Sequence, residues 1–154
     1  MDRARFEKIQ KMFFNKVACC SNTGKVELKF IKIEQGDDFS DFTGDNERTI
    51  EKDITLGCLY RRNISDKVRE EVGVDQNVTD IVYISPLELK RKYGSMEFPD
   101  YIRNSYSQFA VKFLGKHYEV VQIRELEPME LGGKMMCIAY MITLNRDKGN
   151  RDIN

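Results

Sequence analysis

Residues 78–94 read Val78-Thr79-Asp80-Ile81-Val82-Tyr83-Ile84-Ser85-Pro86-Leu87-Glu88-Leu89-Lys90-Arg91-Lys92-Tyr93-Gly94. Val78 to Ile84 alternates apolar and polar positions in a β-branched run, which predicts a strand. Ser85 and Pro86 then break that period. A serine oxygen can accept the free N–H groups of a helix start, and proline lacks a donor that the first turn does not need. Leu87 to Tyr93 is therefore predicted as a short helix ended by Gly94. Its last turn carries Lys90, Arg91 and Lys92, where the helix dipole favours cations.

Downstream, beyond a loop with Pro99, Phe109 to Leu114 reads as a strand. Gly115 and Lys116 turn the chain into a second strand, His117 to Ile123, which together make a hairpin. Glu125 to Gly133 reads as a loop, and Met135 to Leu144 as a final strand. Upstream, residues 63–76 fit either a short helical turn or an exposed hairpin arm. Asp53 to Arg61 has strand character, and residues 35–49 form a long Asp-, Gly- and Asn-rich loop with two phenylalanines. Residues 25–34 alternate as a half-buried strand with a slip in register near Ile31. Ser21 to Gly24 separate that strand from an amphipathic helix over 3–18, with Phe6, Ile9, Phe13 and Val17 on one face and Asp2 at its N-cap. The fold class expected is mainly β: a small antiparallel β-barrel or sandwich with an N-terminal helix and one short helix between strands. A single domain is expected over 1–154, with the helix in 1–20, the β-rich core in 25–144 and a polar, frayed tail in 145–154.

Composition excludes several classes. With 41% hydrophobic and 32% charged residues in 154, the chain reads as an ordinary globular domain and not a disordered one. Its 25 basic and 25 acidic side chains cancel, which argues against a dedicated nucleic-acid binder. The balance hides a pattern. Residues 1–35 carry eight basic and four acidic groups, residues 36–59 two and seven, and residues 60–154 fifteen and fourteen. A basic start followed by an acidic stretch suits head-to-tail contact between identical copies. No secretory signal or membrane span is read; Met12 to Cys20 comes closest, but Asn15 and Lys16 interrupt it. Cys19, Cys20, Cys58 and Cys137 form no CxxC pair, so reduced, buried thiols in an intracellular protein are expected.

Searching for chemistry yields little. His117 is the one histidine, and no nucleophile motif accompanies it, so a structural or exposed role is expected. Asp37, Asp38, Asp41, Asp45 and Glu47 could offer oxygen to a divalent cation, but their spacing does not match a calcium loop. Gly132-Gly133 before Lys134 reads as a turn between strands and not a phosphate loop. No enzyme activity, cofactor or metal is expected. Lys90, Arg91, Lys92, Tyr93, Tyr101, Arg103 and Tyr106 mingle basic and aromatic groups. That mixture suits a protein interface or, as the alternative, a small barrel that stacks single-stranded nucleic acid. The interface candidates are Asp37, Asp38, Phe39, Asp41 and Phe42 in the long loop, and Tyr93, Phe98, Tyr101, Arg103 and Tyr106 in the second segment.

Four segments also resemble a known family: Val78 to Leu89, Phe109 to Leu114, Gly115-Lys116-His117-Tyr118-Glu119-Val120-Val121-Gln122-Ile123, and Met135 to Leu144. They look like the neck proteins of tailed bacteriophages, the head-closure or head–tail joining adaptors. In that family a V-Y-I-S strand leads to a short helix, and a G-K-x-Y-E-V-V-x-I hairpin and a closing strand follow. The Cys58-Leu59-Tyr60 strand behind an acidic loop is also similar, and the likeness spans about residues 50–144. It implies a structural virion protein, assembled in the host cytoplasm as a homo-oligomeric ring between a portal or adaptor protein and a tail protein. Such a ring closes the DNA-filled head, with incidental contact to packaged DNA and none to membrane.

Overall fold

The computed structural model describes residues 2–19, 23–34, 47–98, 109–113 and 115–146. The elements are α1 (Arg3–Cys19), β1 (Thr23–Glu34), β2 (Glu47–Arg61), α2 (Asp66–Val72), β3 (Asp80–Ile84), α3 (Pro86–Tyr93), β4 (Phe109–Phe113), β5 (Lys116–Leu126), β6 (Met129–Leu131), β7 (Lys134–Met136) and β8 (Ala139–Arg146). Six strands close an antiparallel barrel in the order β1-β2-β3-β8-β5-β4, and β6 with β7 forms a separate two-stranded hairpin. The barrel, and not the sandwich, is what the alternating strands build.

Alternation explains the closure. Val26 and Leu28 of β1, Ile54, Leu56 and Cys58 of β2, Val82 and Ile84 of β3, Val111 and Phe113 of β4, and Tyr140, Ile142 and Leu144 of β8 share one buried cluster. Each set is spaced by two, so one face of every strand points inward. On β5 the phase changes: Tyr118 and Val120 join that cluster and so does Ile123. The register shift between Val120 and Gln122 is the reason, because a bulge adds one residue and re-aims those that follow. A second bulge lies between Phe30 and Ile31, where the sequence predicted the slip.

Several boundaries differ from expectation. Glu47 to Thr49 belong to β2 and not to the long loop. They pair with Glu34, Ile33 and Lys32. The open segment at 63–76 resolves as α2, capped by Ser65, whose hydroxyl accepts from the Val68 N–H, and ended by left-handed Gly73. A second short helix therefore accompanies α3. The expected loop after Ile123 holds the end of β5 and all of β6. The expected final strand is two pieces, interrupted at Cys137 and Ile138. Asn145 and Arg146 lie in β8, not in the tail; residues 147–154 lie outside the described residues.

Two helical layers cover the barrel. α2 packs Val68 and Val72 against the outward-facing Ile81 and Met141. Arg69 Nε donates to the Val78 carbonyl at 2.7 Å, and Arg124 donates to the carbonyls of Val72 and Gly73 at 3.3 and 3.2 Å. On another side, α1 packs on α3, β1 and β2. Asp2 caps α1 by accepting the Arg5 N–H at 2.8 Å, and Phe6 and Val17 are buried.

Candidate interaction surface

α3 forms as the sequence predicts. The Ser85 hydroxyl accepts the Leu87 N–H at 3.2 Å, Pro86 sits in the first turn, and Gly94 closes the helix at φ 90°. Leu89 is fully buried, while Lys90, Arg91 and Lys92 are exposed. Glu88 is 5% exposed and pairs with Arg91 at 2.7 Å. It lies over Gly57 of β2, where an added Cβ would sit in ordinary contact with the carboxylate and with Val17. On α1, Arg5, Lys8, Lys11, Met12 and Lys16 are exposed. Packed together, α1 and α3 give the barrel a predominantly basic outer layer.

A cleft of about 270 Å³ lies at the end of α3, between Gly94–Glu97 and the β6–β7 hairpin. Met96, Met136, Cys137, Tyr140 and Pro86 line its apolar part, with Lys90, Lys134 and Glu97 as its charged groups. The Tyr140 hydroxyl donates to the Met96 carbonyl at 2.9 Å, and Gln10 of α1 donates to the Cys137 carbonyl at 2.8 Å. These bonds fix the cleft floor to both the loop after α3 and the N-terminal helix. Met135, also in its lining, is 49% exposed; among the described residues it and Met12, at 60%, are the exposed large apolar side chains.

Inside the barrel, near the start of β3, Asp80 is 0% exposed. Its Oδ2 accepts the Tyr118 hydroxyl at 3.1 Å and lies 4.0 Å from Arg62 Nε. Asp80 Oδ1 and Arg146 Nε, both buried, have no hydrogen-bond partner among the described residues. Burial first, then the Asp80 charge, raises the Tyr118 pKa. Asp80 is in phase with Val82 and Ile84, so strand alternation carried the signal for this buried carboxylate.

The chemistry available is limited. Burial pushes the Cys58 and Cys137 thiols up to about 12, so both are protonated and unreactive at neutral pH. Both are free and buried. His117 is half-buried on β5, opposite Lys112 in register. Among the described residues no group of three or more His, Cys, Asp or Glu could hold a metal ion, and no helix is long and apolar enough to cross a membrane.

The interface candidates separate. Tyr93 is half-buried against the core. Phe98 is no surface group in this chain: it is 1% exposed and packs edge-on against Tyr140 at 4.9 Å, because the chain after Gly94 turns its aromatic ring inward. Asp37, Asp38, Phe39, Asp41, Phe42, Tyr101, Arg103 and Tyr106 lie outside the described residues. So do Asp45, the tail beyond Arg146, and the side chains of Glu47 and Cys19; Cys20 is also outside them. Sequence reasoning places Lys134 after a turn and Met135 and Met136 in the final strand, but gives no sign that they line a cleft, because only closure of the chain brings them to the end of α3. No protein-family model matches the chain, and no curated protein matches it.

Proposed function

We propose that this chain is a structural connector of the phage-neck type, a ring-forming adaptor that joins a portal-side protein to a tail-side protein and carries no catalytic function. One observation carries the reading. The four segments that resemble neck proteins fall on β3 with α3, on β4, on β5 and on β7 with β8. In barrel order β3, β8, β5 and β4 are consecutive neighbours. The likeness therefore describes one continuous wall and its helix, not scattered matches. The basic α1–α3 layer beside a methionine-bearing hairpin supplies surface for subunit contact. Light scattering of the chain with and without a portal protein tests this. A closed oligomer, alone or upon adding portal, is the expected result; a monomer that ignores portal at every concentration overturns it.

A second reading, binding of single-stranded nucleic acid, draws on the exposed Lys90, Arg91 and Lys92 beside Tyr93. It predicts oligonucleotide affinity that falls with salt and is lost in Arg91→Ala with Tyr93→Ala. Absence of binding at low salt removes it.

A further inference from the structure

We infer that one end of the barrel holds a resident water molecule that bridges the Asp80 carboxylate and the Arg146 guanidinium.

Strand phase builds the site. Asp80 opens β3 and Arg146 closes β8. Antiparallel pairing brings these ends together: Asp80 stands opposite Leu144, two residues before Arg146. On the other flank of β8, Tyr118 of β5 stands opposite Arg146 itself. Alternation turns every second residue to the same face. Asp80 is therefore in phase with the buried Val82 and Ile84, and Arg146 with the buried Ile142 and Leu144. Three polar side chains from three neighbouring strands converge where the apolar lumen ends.

Their hydrogen bonds leave a matched acceptor and donor unused. The Tyr118 hydroxyl donates to Asp80 Oδ2 at 3.1 Å, and Arg62 Nε lies 4.0 Å from the same oxygen. Arg146 donates through one Nη to Asn63 Oδ1 at 3.2 Å, and its backbone N–H donates to the Thr79 hydroxyl at 3.0 Å. Asp80 Oδ1 and Arg146 Nε bond neither each other nor any other described group, although Asp80 is 0% exposed. The Tyr118 pKa is raised by burial and by Asp80, and Arg146 works against that rise, so both side chains face the one hydroxyl.

Buried polar groups are hydrogen-bonded as a rule, to protein or to ordered water. The chemistry here selects water. A cation is repelled by Arg62 and Arg146, and an anion by Asp80. A small neutral molecule that donates and accepts suits both groups. Water accepting from Arg146 Nε and donating to Asp80 Oδ1 by ordinary bonds spans roughly 4.5 Å. Its second hydrogen is left for the Tyr118 oxygen, which makes about three bonds, the usual number for a buried water. The bridge ties the first residue of β3 to the last of β8.

The test is a crystal structure of the full chain at a resolution that shows ordered water, with oxygen-17 relaxation dispersion in solution as the second measurement. The expected result is a peak about 2.7–3.2 Å from both Asp80 Oδ1 and Arg146 Nε. In solution, one long-lived internal water is expected to vanish in Asp80→Leu with Arg146→Leu, a pair of changes that leaves neither charge buried alone. A direct contact between Asp80 Oδ1 and Arg146, a partner supplied by residues 147–154, an ion at that position, or no peak overturns the inference. So does an unchanged water count in a folded double variant. If that variant fails to fold, the crystal structure of the unaltered chain decides alone.

Discussion

α2 and α3 flank the same strand, and the pair teaches what a short helix is for in this barrel. Both begin at a serine cap and end at a left-handed glycine. α2 buries no residue fully; it is held by Val68 and Val72 and by the carbonyl bonds from Arg124. α3 buries Pro86, Glu88 and Leu89, reaches into the barrel's main cluster through Leu89, and ends at the cleft. Similar caps therefore set two helices with different duties: α2 covers an outer patch, and α3 joins the core to the outer surface.

The largest break in this comparison is Leu89→Ala. Removing a fully buried leucine leaves a cavity and costs about 2–5 kcal/mol of stability, whereas Val68→Ala on α2 costs about 1 kcal/mol. Denaturant unfolding of the two variants measures the gap; equal losses would erase it. Next comes Asp80, at the end of β3 that follows α2. Asp80→Ala strands the buried Tyr118 hydroxyl and costs about 1–3 kcal/mol, with the loss read by the same unfolding curves. The two caps give a smaller effect. Ser65→Ala and Ser85→Ala each cost about 1 kcal/mol, and hydrogen exchange separates them: the α2 change speeds exchange in its own helix only, while the α3 change spreads into β2 and the cleft.

A weaker handle is alkaline pH. The thiols of Cys58 and Cys137 are raised by burial from 9.0 to about 12. A raised pKa means the folded chain holds its proton more tightly than the unfolded chain. Their contribution is therefore complete below about pH 9 and fades as pH climbs towards 12. The melting temperature is expected to fall across that window, and Cys137→Ala, next to the cleft, is expected to flatten the fall relative to its own neutral-pH value. An unchanged slope would contradict the burial of that thiol.

How far the sequence can be read follows the same contrast. α3 was legible because Ser85-Pro86 and Gly94 bracket it and Leu89 must be buried. α2 was not, because Val68 and Val72 alone give two turns too weak an apolar stripe to choose a helix over a hairpin arm. The bulge at Phe30–Ile31 showed as a break in alternation, while the bulge at Val120–Gln122 hid within a run of apolar residues. Phe98 looks like surface loop in the sequence because it follows a glycine stop; its place in the main buried cluster, edge-on to Tyr140, comes from tertiary packing. The cleft was illegible because it joins α3 to a hairpin forty residues on, and tertiary closure alone brings the two together.

The most direct test of the proposed connector role, with the basic α1–α3 layer as its contact surface and α2 as the comparison, is the native mass of assemblies formed by charge-reversed chains. Lys90→Glu with Lys92→Glu on α3, and Lys67→Glu on α2, change exposed side chains and are expected to leave the fold intact. The α3 variant is predicted to shift to monomer while the α2 variant assembles like the unaltered chain. Equal assembly by both, or loss of assembly in the α2 variant alone, would contradict the account.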